Sequence, residues 1–207
     1  MLESGGISLM NLFILSLDPV EAAKMQCDKH IPKMLVESGQ MLSTAHRVLD
    51  GKLTKRPSKS GKTMVKYWCL YEGANDLEAE LLYYKAVHVG HPCTIWSMES
   101  DSNYRWHWEH MKALADEYTY RFSTEKEPNK THKTQRELLW QIQSPPRNIP
   151  KGPMTPFKLA MKSNPECMFD DPVKSYRAFY QTKQDRFKML WQKGREKPSW
   201  FMEKQYG

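Results

Sequence analysis

CDKHIPKMLVESGQMLSTAHR, residues 27–47, is the stretch around which the rest of the chain is read. Its apolar residues Ile31, Met34, Leu35, Met41, Leu42 and Ala45, continued by Val48 and Leu49, recur at steps of three and four. That rhythm predicts a helix with one buried face. A second stripe runs with the same period: His30, Lys33, Glu37, Gln40, Thr44 and Arg47. Residues three and four apart lie on one side of a helix. This stripe reads either as an ordinary solvated face or as an acid, a base, an amide and two cations around a reactive centre.

The totals bound both readings. A chain of 207 residues can bury one good core. A net charge of +7 favours a polyanionic partner such as DNA, RNA or an acidic membrane. Four cysteines (27, 69, 93 and 167) with no CxxC pair predict reduced thiols, neither a disulfide framework nor a zinc site. No apolar run is long enough to span a bilayer, so no membrane partner is expected. The opening MLESGGISLMNLFILSL has no basic leader and is not read as a signal peptide. Residues 1–9 read as an appendage, with Met10 as an alternative start.

Outward from the central stretch, NLFILSL (11–17) is an apolar run of strand length or a buried helix entrance. Asp18-Pro19-Val20-Glu21 signals a helix start: an N-cap acid, proline at the first position and a glutamate three residues on. Asp50-Gly51 should stop the central helix with a left-handed glycine. KLTKRPSKSGKTMVK (52–66) carries six Lys/Arg and no acid around a Ser60-Gly61 turn. It predicts a basic hairpin whose tip is a solvated loop or a phosphate contact.

Asn75 is expected to cap a helix over 76–87, and HVGHPCTIW (88–96) follows. His88 and His91 have metal-ligand spacing, but no neighbouring acid or cysteine completes a set, and no metal is expected. Residues 101–121 predict a long amphipathic helix with Tyr104, Trp108, Met111, Leu114, Ala115 and Tyr118 inward. Thr134-Gln-Arg-Glu137 reads as a capping box for a short helix. The five prolines in 144–158 predict an irregular crossing anchored by Ile149, Met154 and Phe157. Asp171-Pro172 opens a helix expected to reach about Gln192. The tail 193–207 combines Lys197 and other cations with Trp200, Phe201 and Tyr206. It suits a nucleic-acid strand by neutralisation and stacking, or docking of its aromatics into the body.

Taken together, these blocks resemble the small all-helical phage pyrimidine-dimer DNA glycosylases of the endonuclease V type. Asp28-x-His30, with Glu37 seven residues after the histidine, is similar to the family's first-helix motif. Gly90-His91 with Thr94 and Trp96, Asn148-Ile149-Pro150, and Lys197-Pro198-Ser199-Trp200-Phe201 with Tyr206-Gly207 resemble its later blocks. The matched blocks cover about a third of the chain. The sequence also looks closer to a set of phage-encoded proteins of unassigned role.

The resemblance implies base excision without a cofactor. An N-terminal α-amine attacks the sugar C1′, displaces the base, forms an imine and cuts the strand by β-elimination. Glu37 would stabilise the developing charge and relay protons. Two departures matter. Val36 and Gln40 stand where the family has arginines, so phosphate grip would fall to Arg47 or the 52–66 loop. The extended N-terminus makes Lys33 the substitute nucleophile.

The sequence therefore predicts a mainly α protein. Residues 10–207 form a single compact helical domain with a short N-terminal strand or extended segment, a small basic β-hairpin over 52–71 and the basic aromatic tail. The expected function is a cytoplasmic, monomeric DNA N-glycosylase, with or without AP-lyase activity, acting on an everted pyrimidine of double-stranded DNA. Glu37, His30 and Lys33 are its candidate catalytic residues. Gln40, Arg47, Lys55, Arg56, His91, Lys197, Trp200 and Tyr206 are its candidate DNA contacts. Its rivals are a DNA-binding module without chemistry and a nucleotide hydrolase or transferase built on Glu37 and His30/His91.

Overall fold

The computed structural model describes residues 11–58, 60–70 and 82–204. Among these, six α-helices and a two-stranded hairpin make the protein mainly α, with no helix long and apolar enough to cross a membrane. Residues 11–15 run extended, with no strand partner, and bury Leu12, Phe13, Ile14 and Leu15. Asp18 then caps α1 (Pro19–Lys24), its carboxylate accepting from the Glu21 amide at 2.9 Å. Helix α2 (His30–Asp50) follows, with Pro32 in its first turn, where a missing N–H costs no helical bond.

Gly51 ends α2 differently from expectation. Its φ is −97°, so the left-handed turn is absent. Its need for glycine is spatial: a Cβ there would meet the Arg47 carbonyl oxygen at 2.3 Å and that of Cys69 at 2.8 Å. This close approach leads directly into the hairpin, β1 (Lys52–Pro57) antiparallel to β2 (Met64–Cys69). Gly61 makes the turn at φ +70°.

Helix α3 (Pro92–Glu99) is capped by the His91 ring, and Ser100 caps α4 (Asp101–Phe122). Helix α2 packs on α4 and α3, and α1 on α4, around one continuous core. In α5 (Lys133–Glu137) the capping box is His132 with Gln135, two residues earlier than the Thr134 reading. Thr134 instead turns inward and hydrogen-bonds the Tyr84 hydroxyl at 2.8 Å. In the proline-rich crossing Ile149 and Phe157 pack inward, whereas Met154 is exposed.

The last helix is shorter than predicted. Helix α6 (Pro172–Gln181) gives way to a 3₁₀ turn, Thr182–Asp185, and then to irregular chain. Tertiary bonds replace the helical ones: Gln181 and Gln184 donate to the carbonyls of Trp200 and Met202 at 3.0 and 2.9 Å. The predicted helix start at Asn75 lies outside the described residues; Tyr84–Val87 is not helical.

One buried ionic knot ties the chain together. Arg121, 1% exposed, donates to Asp28 at 3.0 Å, to Glu117 at 2.8 Å and to the carbonyls of Gln26 and Lys24. Arg195 adds a second cation on Glu117 at 2.6 Å. Asp28, part of the motif that suggested a site, is thus a structural anchor. Arg121→Ala would leave buried Asp28 without its cation and Glu117 with Arg195 alone, and is expected to cost about 3–5 kcal/mol. The urea midpoint measures it, and a loss below about 1 kcal/mol would show that the knot carries little stability.

Candidate functional site

The polar stripe of α2, apart from Lys33 and half-buried Gln40, is withdrawn from solvent. His30, Glu37, Thr44 and Arg47 are all buried, because the extended segment 11–15, residues 83–87 and α6 cover the helix on several sides. At its N-terminal half the stripe borders a cavity of about 460 Å³, within the size range of small-molecule sites. The walls come from Asn11 and Phe13, from Lys29, His30 and Lys33, and from Phe179, Lys183, Arg186 and Phe187.

Glu37 stands one turn beyond Lys33. Its carboxylate accepts the Asn11 backbone N–H at 2.9 Å and lies 3.5 Å from the Lys33 ammonium. Burial raises its pKa, opposed by the Asn11 hydrogen bond and by Lys33. A carboxyl of this kind holds a proton more readily than a surface glutamate, the condition for proton transfer near neutral pH. The nitrogen nearest Glu37 is a peptide nitrogen, whose lone pair is delocalised into the carbonyl and is not nucleophilic. Met10 lies outside the described residues.

His30 borders the same cavity, packed by the rings of Phe13, Tyr180 and Phe187. Burial, helped by Lys33, Lys183 and Lys29, pushes its pKa down to about 3. At neutral pH His30 is therefore uncharged and offers no cation to a phosphate. The Tyr180 hydroxyl accepts from the Cys27 amide at 2.8 Å and lies 2.7 Å from His30 Nδ1. With Nδ1 as acceptor for the phenolic proton, the ring proton resides on Nε2.

Lys183 is the residue that sequence reasoning missed. Its ammonium sits 3.4 Å above the centre of the Phe179 ring. Burial, then Arg186 and Lys33, lower its pKa to about 8. Asp185, the acid in the cavity wall, is ion-paired with Lys204.

The remaining candidates scatter. Gln40 is half-buried on the turn after Glu37. Arg47 cannot grip phosphate: fully buried, it donates to the carbonyls of Tyr84 and Trp68 at 2.7 and 2.9 Å and to the Tyr67 hydroxyl. It clamps the hairpin onto α2. His91 is the cap of α3, accepting from the Cys93 amide at 3.2 Å. Lys197 is paired with Glu203 at 2.9 Å. Trp200 is half-buried against Tyr180 and Arg177 and offers no stacking platform, which favours the docked-tail reading. Tyr206 lies outside the described residues.

The hairpin keeps its basic character. Lys55 pairs directly across from Lys66, a juxtaposition of like charges that weakens an isolated hairpin by up to about 1 kcal/mol. Arg56 stacks on Tyr67 at 3.6 Å. Arg56, Lys66 and Lys85 rim a second hollow of about 490 Å³. Among the described residues, no group of three or more His, Cys, Asp or Glu is arranged to hold a metal ion. No family model, curated protein or solved structure matches this chain.

Proposed function

We propose that the protein is a DNA base-excision enzyme, an N-glycosylase acting on a damaged or modified pyrimidine of duplex DNA. The observation that carries this reading is a buried carboxyl of raised proton affinity, Glu37, held by Asn11 and Lys33, two residues of the wall of a cationic, aromatic-walled cavity that Glu37 itself does not line. Breaking a glycosidic bond builds positive charge on the sugar and negative charge on the leaving base. Ionised Glu37 opposes the first, and the cations Lys29, Lys33 and Arg186 favour the second and hold the flanking phosphates. An everted nucleotide costs a few kcal/mol to extrude, least when the base is damaged. Lys33 and Arg47 are fourteen residues apart on α2, about 21 Å along a helix axis. A duplex lying over α2 could therefore touch both the cavity and the hairpin, spanning roughly six base pairs. The reading is tested by incubating the protein with duplexes carrying single modified pyrimidines and measuring free base. Duplex binding with no base released from any of them would overturn it in favour of the binding module.

The hairpin supports that second reading independently, since its opposed lysines are eased by a polyanion whether or not chemistry follows. The double variant Lys55→Glu and Lys66→Glu is expected to bind duplex DNA more weakly. Its slope of log affinity against log salt should shrink by about 2, as two phosphate contacts are lost. Unchanged slope in a salt titration would remove the hairpin from the interface.

A further inference from the structure

Lys183 is one of nine Lys/Arg between residue 174 and the end of the chain, and nothing in the sequence separates it from the other eight. Folding does. The 3₁₀ turn after α6 places it in the cavity wall, facing the Phe179 ring, with Arg186 on its own turn and Lys33 from α2 as like charges. The other groups around it do not neutralise it. Lys29 is a further cation, stacked on Phe187 at 4.3 Å; His30 is uncharged; Asp185 is paired with Lys204; burial raises the Cys167 thiol and keeps it protonated. Lys33, the nucleophile suggested by sequence, is different. Its ammonium is ion-paired with Glu37 at 3.5 Å, and its side chain is 45% exposed.

We propose that Lys183 condenses with the C1′ aldehyde of an abasic deoxyribose held in this cavity, giving the protein a strand-cleaving lyase step after base release. The inference rests on the excision reading. Its chemistry is that of a primary amine and an aldehyde. The neutral Nζ adds its lone pair to C1′ of the ring-opened sugar. The carbonyl oxygen then leaves as water, with one proton from the nitrogen and one from solvent, and a protonated imine remains. That cation draws electrons from the C2′–H bond. Loss of the C2′ proton expels the 3′ phosphate, and water hydrolyses the imine to return Nζ. The cavity suits each stage. Burial, with the like charges of Arg186 and Lys33, keeps roughly a quarter of the amine unprotonated at pH 7.5, against about one in a thousand for an ordinary lysine. Lys33 and Arg186 remain as cations for the phosphates on either side of the sugar.

The probe is a duplex oligonucleotide with one abasic site, incubated with the full-length protein and borohydride, which delivers hydride to the imine and makes the cross-link permanent. Wild type is expected to trap a covalent adduct whose mass maps to the peptide containing Lys183. Its trapping rate should rise with pH and level off above about 8. Lys183→Arg keeps the charge but cannot form an imine. It should lose trapping at least a hundredfold while binding the abasic duplex within about threefold of wild type, which also shows that it is folded. An adduct mapped to Lys33 or to the N-terminal peptide, or undiminished trapping by Lys183→Arg, overturns the assignment of Lys183 and leaves excision standing. Base release by wild type without any trapped adduct overturns the imine step itself. Absence of both base release and trapping, with duplex binding retained, rejects the excision reading instead.

Discussion

On the proposed excision reading, Glu37→Gln is expected to release base at least a hundredfold more slowly than wild type, with a ceiling of about ten-thousandfold, while its affinity for duplex DNA stays within a few fold. The factor is that of a positioned acid–base or charge-stabilising group. Glutamine keeps the shape of the side chain, and its oxygen can still accept the Asn11 N–H that the carboxylate accepts at 2.9 Å. What is lost is the charge and the exchangeable proton. The fold should not suffer. Burial raises the Glu37 pKa, so the folded state binds that proton more tightly than the unfolded chain does. The contribution of Glu37 to stability is therefore greatest in acid and declines as pH rises through the raised folded value. A neutral isostere removes this cost at pH 7. Single-turnover base release, alongside a binding isotherm, reads the two effects separately. A fully active Glu37→Gln protein would end the role assigned to this carboxyl.

Acid should unfold the protein abruptly. Burial pushes His30 and His110 down to about 3 and His46 to about 4, and holds His107 well below its ordinary value. In the unfolded chain each titrates near 6.5. Below that pH the unfolded state takes up protons that the folded state refuses, so stability present above about pH 6.5 is lost as pH falls towards 4. Each histidine contributes about 1.4 kcal/mol per pH unit, and the four together about 5, as much as the whole stability of many small domains. Equilibrium urea unfolding at pH 7, 6 and 5 measures the slope, and His110→Gln should lower it by about one proton. A stability that is flat from pH 7 to 5 would mean that these rings gain charge without unfolding the chain.

How much of this was legible beforehand depended on the range of the interactions involved. The apolar rhythm of α2 and α4, the Asp18-Pro19 and Asp171-Pro172 starts and the Ser60-Gly61 turn are local patterns, and the structure contains all of them. The polar stripe of α2 was visible as a stripe. Its burial was not, because it depends on partners such as Tyr84 and Tyr180, far away in the chain. Arg47 illustrates the difference. In sequence it is a cation on a helix face beside a basic loop; in the fold it is spent on backbone carbonyls. The early end of α6 has no glycine or proline to announce it, since the bonds that replace the helix come from Trp200 and Met202. Lys183 was hidden for the same reason: its low basicity comes from burial and from Arg186 and Lys33 meeting it in space.

The cavity draws its walls from both extremities of the chain, Asn11 and Phe13 on one side and residues 179–187 on the other. Synthesis runs from one to the other, so the cavity has no precursor: any nascent or proteolysed fragment stopping short of residue 179 carries His30 and Lys33 without the wall that faces them. Joining such distant positions is a large loop closure that must be completed before the rings and cations can converge. Whatever the cavity does should therefore arise only once residues 179–187 have been made and docked, and be lost to a cut that removes them.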